Sequence, residues 1–300
     1  MADLDVQSLM PAFGAAITGL NPVAPLDPVT IRQLRSLFDE RGLLTFPGLR
    51  PDARFQTYLA EQLISDQIVD PDSLHVDELH QVSNVEKVSA VPIGRLLFHS
   101  DTMWVVEGTK VISLYGKNVG VGAIPTTFIS AAHAWNTLPD DLKARVDGKM
   151  AVHVVDATDQ RRSHVSDDVL VTEIKLNGEL LKMDDQLRLP IAYRHPRTGQ
   201  TLLYISPQLT HHVEGLNYEE SEDLLDALFD HMYAEKNIFT HEWREGDLIV
   251  WDNIALQHSR PDLRRDGAAR TLRKTLVPTY MTGEGAVRPT VTYSRRGDAH

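Results

Sequence analysis

Residues 246–258, GDLIVWDNIALQH, combine a short apolar run, a polar turn and a histidine. The run 247–252 has the length and composition of a buried strand, and Asp252 and Asn253 give it a turn-forming end. His258 follows within a second apolar stretch. A histidine beside a buried strand is a candidate metal ligand, because imidazole is the commonest side-chain ligand for transition metals. Partners for His258 are therefore expected elsewhere in the chain.

Histidines followed two residues later by an acid are the first candidates for those partners. Three such triplets begin at His75, His99 and His212, whereas about two are expected by chance from 42 acids and 13 histidines among 300 residues. Context favours His99-Ser-Asp101, which follows the apolar run 93–98, because residues i and i+2 of a strand point to the same side. His75 lies in a polar, acidic stretch that is typical of solvated surface.

Two histidines and one carboxylate on one face of an ion form the facial triad of non-haem Fe(II) oxygenases, which leaves three coordination positions open. The chain offers such a set in His99, Asp101 and His258. Each histidine alone is more often an ordinary core or surface imidazole, so the hypothesis rests on the combination. Arg270, twelve residues after His258, adds a guanidinium suited to a bidentate clamp on a carboxylate. The residues themselves therefore favour an oxygenase that also binds a carboxylic acid.

The pattern along the rest of the chain is mainly β. Pro28 after Asp27 begins a predicted helix between two short strands, and Asn217 precedes another over 218–236. A further helix is expected near 52–64. Many short strands with few helices are typical of an antiparallel sandwich or jelly roll, so we predict a mainly β fold with flanking α-helices. The predicted strands are 14–18, 43–47, 110–116, 125–130, 150–155, 187–193, 201–206, 247–252 and 271–277.

Composition limits the class of protein. The formal net charge is −12, which argues against a nucleic-acid binder or an anionic-membrane binder. No cysteine is present, which excludes disulfides, thiolate nucleophiles and cysteine-ligated metals. No apolar run reaches the roughly 18 residues of a membrane span. We expect a single cytoplasmic domain over 1–300, in which the charged segment 156–186 is a solvated excursion or a lid over a site.

Several longer motifs follow one another along the chain. They are FHSD (98–101), PTTFISAAHAWNTLP (125–139), HPRTGQTLLYIS (195–206), GDLIVWDNIALQH (246–258) and RTLRK (270–274). In these motifs, and in an N-terminal strand–helix–strand, the sequence resembles the taurine dioxygenase-like family of Fe(II)/2-oxoglutarate-dependent oxygenases, which includes the 2,4-dichlorophenoxyacetate dioxygenases. It departs from the family pattern where Phe98 replaces a common Trp, where PTT replaces Gly-Gly-Asp-Thr, and where Lys274 replaces the Arg of some relatives.

The resemblance implies a fold, a chemistry and a set of residues. The fold would be a double-stranded β-helix, a jelly-roll variant, in a dimer or tetramer. The cofactors would be Fe(II), 2-oxoglutarate and O₂, with 2-oxoglutarate converted to succinate and CO₂ while a small organic substrate is hydroxylated, desaturated or cleaved. Arg270 would bind the distal carboxylate of 2-oxoglutarate with help from the hydroxyl of Thr126, although Thr127 is only one residue away. The implied iron ligands are His99, Asp101 and His258.

Four further residues are candidates for the substrate pocket. Thr102 and Trp104 follow the first pair of ligands, but core packing explains them equally well. Leu209 matches a family pocket position loosely. Lys274 lies four residues after Arg270, so strand alternation places both side chains on one face. In relatives this position is often an Arg that binds a substrate sulfonate or carboxylate, so we expect an anionic substrate; the alternative is that Lys274 extends to solvent.

Two other functions fit part of the pattern. A zinc hydrolase could use two histidines and a carboxylate, but it would need neither Arg270 nor Thr126, and His241-Glu242 lacks the second histidine of a zincin motif. A catalytically inactive family member could bind small molecules without turnover, although the complete triad argues against it.

Overall fold

The structure, a computed structural model, describes residues 4–76, 80–87, 89, 93–105, 108–158, 170–176, 179–180, 186–278 and 290–295, the ranges 170–176, 179–180 and 290–295 by their backbone alone. In these ranges the helices are α1 (Pro28–Arg41), α2 (Ala53–Gln62), α3 (Ala131–Asn136), α4 (Asp140–Val146) and α5 (Tyr218–Met232). The strands are β1 (Asp5–Ser8), β2 (Ala15–Thr18), β3 (Leu43–Phe46), β4 (Gln81–Ser83), β5 (Gly94–His99), β6 (Val111–Val119), β7 (Thr126–Ser130), β8 (Met150–His153), β9 (Leu170–Leu176), β10 (Glu179–Leu180), β11 (Leu187–Pro190), β12 (Ala192–Arg194), β13 (Thr201–Leu203), β14 (Thr210–Val213), β15 (Phe239–His241), β16 (Leu248–Asp252), β17 (Leu256–Leu263), β18 (Arg270–Val277) and β19 (Thr290–Arg295).

Helix α1 begins and ends at residues suited to those places. Asp27 Oδ1 accepts hydrogen bonds from the backbone N–H groups of Val29 and Thr30 at 3.0 and 3.1 Å, and Pro28 occupies the first turn. At the other end, Gly42 has φ 68°, a left-handed conformation that glycine adopts without strain. The predicted start of this helix is confirmed.

Helix α5 is shorter than the predicted range 218–236. It begins behind a capping box, in which Asn217 Oδ1 and Glu220 Oε2 each accept from the other residue's backbone N–H. It ends at Met232, and a separate 3₁₀ turn, Glu235–Asn237, follows. The predicted end of the helix is wrong, because no Gly or Pro marks the true end in the sequence.

The run predicted as one strand over 187–193 is two strands in different sheets. β11 pairs with β8, and β12 pairs with β13. The break falls at the buried Ile191, whose N–H donates to Lys149 O while its carbonyl accepts from Tyr204 N. Because its two backbone groups bond residues beside β8 and beside β13, Ile191 passes the chain from one sheet to the other.

Two sheets face each other and enclose the interior in which the candidate site lies. One has seven strands in the order β1-β2-β3-β16-β6-β18-β4, and the other has four in the order β15-β7-β17-β5. Their pairings are antiparallel except for β2 with β3. Leu114 and Leu272 of the larger sheet share one buried cluster with Phe128 of the smaller. The prediction of a mainly β fold with flanking helices is confirmed at this level.

The apolar run of β16 is continuous because both faces of the strand are covered. Leu248 and Val250 belong to a cluster that also contains residues of α1 and α2, whereas Ile249 and Trp251 belong to the cluster between the sheets. A strand that is buried on both faces reads as uninterrupted apolar sequence. The pattern therefore predicted the strand correctly.

The predicted lid over 156–186 lies largely outside the described residues. Its described backbone includes β9, which pairs antiparallel with β10 and with β19. The lid hypothesis and the single-domain expectation stay predictions. None of the helices in the described part of the chain is long and apolar enough to cross a membrane.

His153 gives the fold a predicted dependence on pH. The side chain is fully buried on β8, and burial lowers its pKa from 6.5 to about 3. The unfolded chain therefore takes up a proton that the folded chain excludes. We expect the stability to fall as the pH drops below about 6.5 towards 3, by up to about 1.4 kcal/mol per pH unit from this residue.

The free energy of unfolding in urea, measured from about pH 7 to about pH 4, checks this expectation. His153→Asn should be less stable near neutrality but should lose less stability on acidification. The exposed His75, replaced by Asn, is the control and should keep the wild-type slope. Parallel pH profiles for wild type and His153→Asn would contradict the prediction.

Candidate metal centre

Two histidines stand side by side on neighbouring strands. His99 ends β5, His258 lies near the start of β17, and the antiparallel register pairs them directly. Side chains paired in this way project from the same side of a sheet with Cβ atoms about 5 Å apart. Their ring centroids accordingly lie 4.3 Å apart, and the ring of His258 also contacts Trp251 in the interior cluster.

Asp101 joins the histidines from a turn. Because β5 ends at His99, the expectation that His99 and Asp101 share a strand is wrong. Asp101 Oδ1 is nevertheless 3.3 Å from His99 Nε2 and 3.6 Å from His258 Nε2. One ligand atom of each residue lies within 4.8 Å of the other two, and no other group of three or more His, Asp or Glu residues in the described part of the chain meets this criterion.

The turn that carries Asp101 is held by Asn253, the residue that follows β16. Asn253 Oδ1 accepts from Asp101 N, and Asn253 Nδ2 donates to Asp101 O and Thr109 O, each at 2.9 Å. The next residue, Thr102, has φ 60°, which is costly for a β-branched side chain. The hydrogen bonds of Asn253 therefore stabilise an unfavourable backbone conformation at Thr102, and this conformation places the carboxylate of Asp101.

The hydroxyl of Thr102 is used inside this turn. It donates to Asp101 O at 2.6 Å and accepts from Thr109 N at 2.7 Å. Its single proton is therefore already used, and any role of Thr102 towards a substrate stays a prediction.

Hydrogen bonds and charges leave the three groups in the form that binds a cation. His99 Nδ1 donates to Leu97 O at 2.7 Å, which leaves its Nε2 lone pair for the cluster. Burial is the main cause that holds the pKa of His258 well below its ordinary value. Burial alone would raise the pKa of Asp101, but the ammonium of Lys274 and the two histidines outweigh it and hold that pKa well below the usual range. A neutral imidazole at His258 beside an ionised carboxylate at Asp101 fits a divalent transition metal.

Lys274 points into the site. Its side chain is only 13% exposed, and its Nζ bonds Asp101 Oδ2, the carboxylate oxygen that does not face the histidines. The preceding residue, Arg273, points away and donates to Gln56 Oε1 at 2.7 Å. The predicted alternation along β18 is confirmed, and the alternative in which Lys274 extends to solvent is wrong.

Arg270 is a buried cation that has no carboxylate partner among the described residues. It is 2% exposed, its Nε donates to Ile124 O at 3.0 Å and its Nη2 donates to Thr126 Oγ1 at 2.9 Å. Its Nη1 is buried without a partner in the same part of the chain. Burial, then the charge of Arg260, lowers the pKa of Arg270 well below its ordinary value. A guanidinium in this position is costly unless an anion joins it, so the surroundings fit a carboxylate ligand.

Thr126 faces Arg270, and Thr127 does not. Thr127 Oγ1 bonds Ser259 Oγ at 2.5 Å instead. Thr126 Oγ1 accepts a second hydrogen bond, from Trp243 Nε1 at 2.9 Å. No local pattern predicts Trp243 here, because it lies 117 residues from Thr126 in sequence.

Asn84 is a second residue that no motif predicts. Its Oδ1 accepts from Arg270 N at 2.9 Å, while its Nδ2 donates to Arg264 O and Ala268 O at 2.9 and 3.0 Å. The buried amide thus fixes the loop between β17 and β18 at the point where Arg270 enters the strand.

Trp104 and Leu209 pack in a hydrophobic cluster beside the site. Leu209 is buried in the cluster that contains Met103, and Trp104 lies half-buried against it. For Trp104 this is the core packing that the sequence left open as an alternative. Their contact with a substrate stays a prediction.

Asp252 links the end of β16 to the HPRTG segment. Its carboxylate accepts from His195 Nε2 at 3.1 Å and also bonds Arg197 Nη2. Burial alone would raise the pKa of Asp252, but these two partners outweigh it and lower that pKa. The predicted turn at Asp252 and Asn253 is confirmed, because Asp252 Oδ1 accepts from Ile254 N and Ala255 N, both at 3.0 Å.

Comparison with known proteins identifies the family to which the chain belongs. Residues 5–276 match the family described as "Taurine catabolism dioxygenase TauD, TfdA family". The chain belongs to this family. Membership confirms the predicted resemblance and the predicted enzyme class, a dioxygenase. The roles of individual residues towards metal, cosubstrate and substrate remain predictions.

Similar proteins extend over nearly the whole chain. The (S)-phenoxypropionate/alpha-ketoglutarate-dioxygenase of Sphingobium herbicidovorans is 28% identical over 262 residues, which cover 85% of this chain and 88% of the relative. The alpha-ketoglutarate-dependent 2,4-dichlorophenoxyacetate dioxygenase of Cupriavidus pinatubonensis is 26% identical over 293 residues, which cover 90% of this chain and 98% of the relative. The solved complex of AAD-2 with Mn(II) and N-oxalylglycine has a TM-score of 0.71 at 20% identity over 96% of this chain and 99% of that one, which shows a shared fold.

We predict that the protein binds one Mn(II) per chain through His99, Asp101 and His258. Loss of an outer-shell partner alone typically weakens metal binding about 10- to 100-fold, so His258→Ala should weaken it by more than about 100-fold. Titration calorimetry measures the affinity. His75→Ala should bind like the wild type, and an unchanged affinity in His258→Ala would place the ion elsewhere.

Proposed function

We propose that the protein is an Fe(II)- and 2-oxoglutarate-dependent dioxygenase that oxidises a C–H bond of a small anionic organic substrate. The observation that carries the proposal is the buried Arg270, whose Nη2 bonds Thr126 and whose Nη1 has no partner in the described part of the chain. It lies in the same interior as the cluster of His99, Asp101 and His258. The names of both relatives include alpha-ketoglutarate, which supports this cosubstrate.

The spacing between the two halves of the site suits 2-oxoglutarate. His258 is paired with Phe128 of β7. Thr126 lies two residues from Phe128 on the same face of that strand, which is about 7 Å along the strand. Four C–C bonds separate the ends of 2-oxoglutarate, which is about 5 Å when extended, and a metal–ligand bond adds about 2 Å. A 2-oxo acid held at the cluster would therefore reach Thr126 and Arg270 with its far carboxylate.

Each group in the site has a separate task in this proposal. His99, Asp101 and His258 would hold the iron, which supplies the oxidative decarboxylation of 2-oxoglutarate to succinate and CO₂ and, with O₂, the oxidation of the substrate. Because Lys274 engages Asp101 Oδ2, the carboxylate presents Oδ1 alone to the histidines, which supports coordination through one oxygen. Arg270 and Thr126 would orient the cosubstrate by its distal carboxylate.

The two rival functions explain less of the structure. A zinc hydrolase has no use for a buried guanidinium with an open donor, so Arg270 would be an unexplained cost. An inactive binding protein would not need two imidazoles and a carboxylate that bring their ligand atoms to one point.

An anionic substrate is the finer part of the proposal. Lys274 is a cation at the cluster, and one bond to Asp101 leaves two of its three N–H donors for other acceptors. The two relatives are named for phenoxypropionate and 2,4-dichlorophenoxyacetate, both carboxylates, and the family for taurine, a sulfonate. Trp104 and Leu209 would supply the apolar side of the pocket.

The proposal extends to the assembly. The facing sheets are proposed to form a double-stranded β-helix, since residues of both sheets share one buried cluster. A dimer or tetramer in the cytoplasm, acting on small molecules without nucleic-acid or membrane partners, is proposed on the resemblance and the acidic composition.

Succinate formation tests the proposed function. Protein with Fe(II), 2-oxoglutarate and O₂ is offered 2,4-dichlorophenoxyacetate, (S)-phenoxypropionate and taurine, and mass spectrometry follows succinate and the substrate mass. We expect succinate from the wild type and none from Asp101→Ala, with at least one anionic compound raising the rate. Equal succinate from both proteins would contradict the proposal.

Replacing the buried guanidinium should weaken the binding of 2-oxoglutarate and leave the binding of the metal little changed. Truncating one partner of a buried, hydrogen-bonded charge pair typically costs about 2–5 kcal/mol, so Arg270→Ala should raise the KM for 2-oxoglutarate by about 30-fold or more. Mn(II) affinity should change little, because Arg270 contacts none of the three metal-binding candidates. An unchanged KM would mean that another cation binds the distal carboxylate.

Lys274 separates substrate binding from cosubstrate binding. Lys274→Met should raise the KM for the anionic substrate found in the screen and should leave the KM for 2-oxoglutarate little changed. Lys274→Arg, which keeps the charge, should retain more of the substrate affinity. If Lys274→Met keeps the wild-type substrate KM, Lys274 serves Asp101 alone.

A further inference from the structure

The hydroxyl of Thr126 has only one direction left for its proton. A hydroxyl offers two acceptor lone pairs and one donor. Thr126 Oγ1 accepts from Trp243 Nε1 and from Arg270 Nη2, both at 2.9 Å, so both lone pairs are occupied. No acceptor for its proton is present among the described residues. The O–H is therefore open to an acceptor that the described residues do not supply.

A second donor is open at the same place. Arg270 uses Nε on Ile124 O and Nη2 on Thr126, and its buried Nη1 has no partner in the described part of the chain. Two neighbouring donors, one of them charged, match the two oxygens of a carboxylate. The Nη1–H is fixed by the planar guanidinium, whereas a threonine hydroxyl turns freely unless its lone pairs are occupied.

We propose that Trp243 is a positioning residue for the cosubstrate: its indole N–H occupies one lone pair of Thr126 and so turns the threonine hydroxyl towards the distal carboxylate. This inference rests on the proposed function, because it assigns the open donors to 2-oxoglutarate. Trp243 is 6% exposed, so its N–H has little access to water and depends on Thr126 as its acceptor. The pair therefore stays aligned before the ligand arrives, and a preorganised donor binds its acceptor with less entropic cost.

Trp243 also packs in the interior, so its hydrogen bond must be tested separately from its ring. The guanidinium carbon of Arg270 lies 5.9 Å from the ring centroid, and the ring contacts His241 edge to face. Trp243→Phe keeps an aromatic ring and removes the N–H. Incorporation of 3-benzothienylalanine at position 243 replaces the N–H by sulfur with the bicyclic ring retained, and it serves if Trp243→Phe does not fold.

The experiment compares two 2-oxo acids by calorimetry on Mn(II)-loaded protein, without turnover. 2-Oxoglutarate has a distal carboxylate, and pyruvate has none. Trp243→Phe should bind 2-oxoglutarate about 3- to 12-fold more weakly, the effect of one net hydrogen bond, and should bind pyruvate like the wild type. Trp251→Phe is the matched control, because Trp251 is fully buried in the same cluster and its indole N–H has no partner among the described residues. This control should leave the ratio of the two affinities unchanged.

A double-mutant comparison shows whether the effect passes through Thr126. In a Thr126→Val background, Trp243→Phe should weaken 2-oxoglutarate binding by less than about 2-fold, since the hydroxyl that it orients is gone. Two results would overturn the proposal in favour of packing alone. One is an equal loss of affinity for 2-oxoglutarate and pyruvate in Trp243→Phe, and the other is the same loss of 2-oxoglutarate affinity with and without the Thr126 hydroxyl. Failure of the wild type to prefer 2-oxoglutarate over pyruvate would instead overturn the proposed function.

Discussion

The site depends on one register, the antiparallel pairing of His258 with His99. A shift of one residue in either strand would turn one imidazole to the opposite face of the sheet, because side chains alternate along a strand. The pairing of β17 with β7 continues the same register and places Phe128 beside His258. The two histidines and the Thr126 hydroxyl are therefore fixed relative to each other by strand geometry, and Asp101 joins them from a turn that Asn253 holds.

Asp101 is placed by polar contacts from the larger sheet. Asn253 holds its backbone from the end of β16, and Lys274 holds its second carboxylate oxygen from β18. The two facing sheets thus contribute different parts of one cluster, with the histidines on one sheet and the supports of the carboxylate on the other. Any opening between the sheets would separate these parts. The buried clusters on both sides of β16 stabilise the site as well as the fold.

The charges in the interior are arranged in two separate regions. Asp101 is ionised and paired with Lys274 at the cluster. Arg270 is buried beside Thr126, and its Nη1 has no partner among the residues that the structure describes. Leaving a cation in this state costs stability, and proteins accept such a cost at sites where a ligand completes the pairing. The apoprotein should therefore gain stability when a suitable dianion binds.

The sequence predicted the candidate residues that lie in short motifs, and it missed those whose role comes from contacts with residues far away in the chain. His99, Asp101, His258 and Arg270 were found because ligand types and spacings are visible in short motifs, and the face of Lys274 followed from strand alternation. The position of Asp101 beyond the strand was missed, because a positive φ at Thr102 leaves no mark in composition. Trp243 and Asn84 were also missed, since their partners lie 117 and 186 residues away and no periodicity reports such pairs.

The central claim is that one interior holds a metal at His99, Asp101 and His258 and a dicarboxylic 2-oxo acid that extends from the metal to Arg270. A crystal structure of the protein with Mn(II) and 2-oxoglutarate under anaerobic conditions tests it most directly. The account predicts the ion in contact with all three side chains, and the distal carboxylate within hydrogen-bond distance of Arg270 Nη1 and Thr126 Oγ1. An ion bound elsewhere, or a distal carboxylate on Lys274 with Arg270 Nη1 still open, would contradict it.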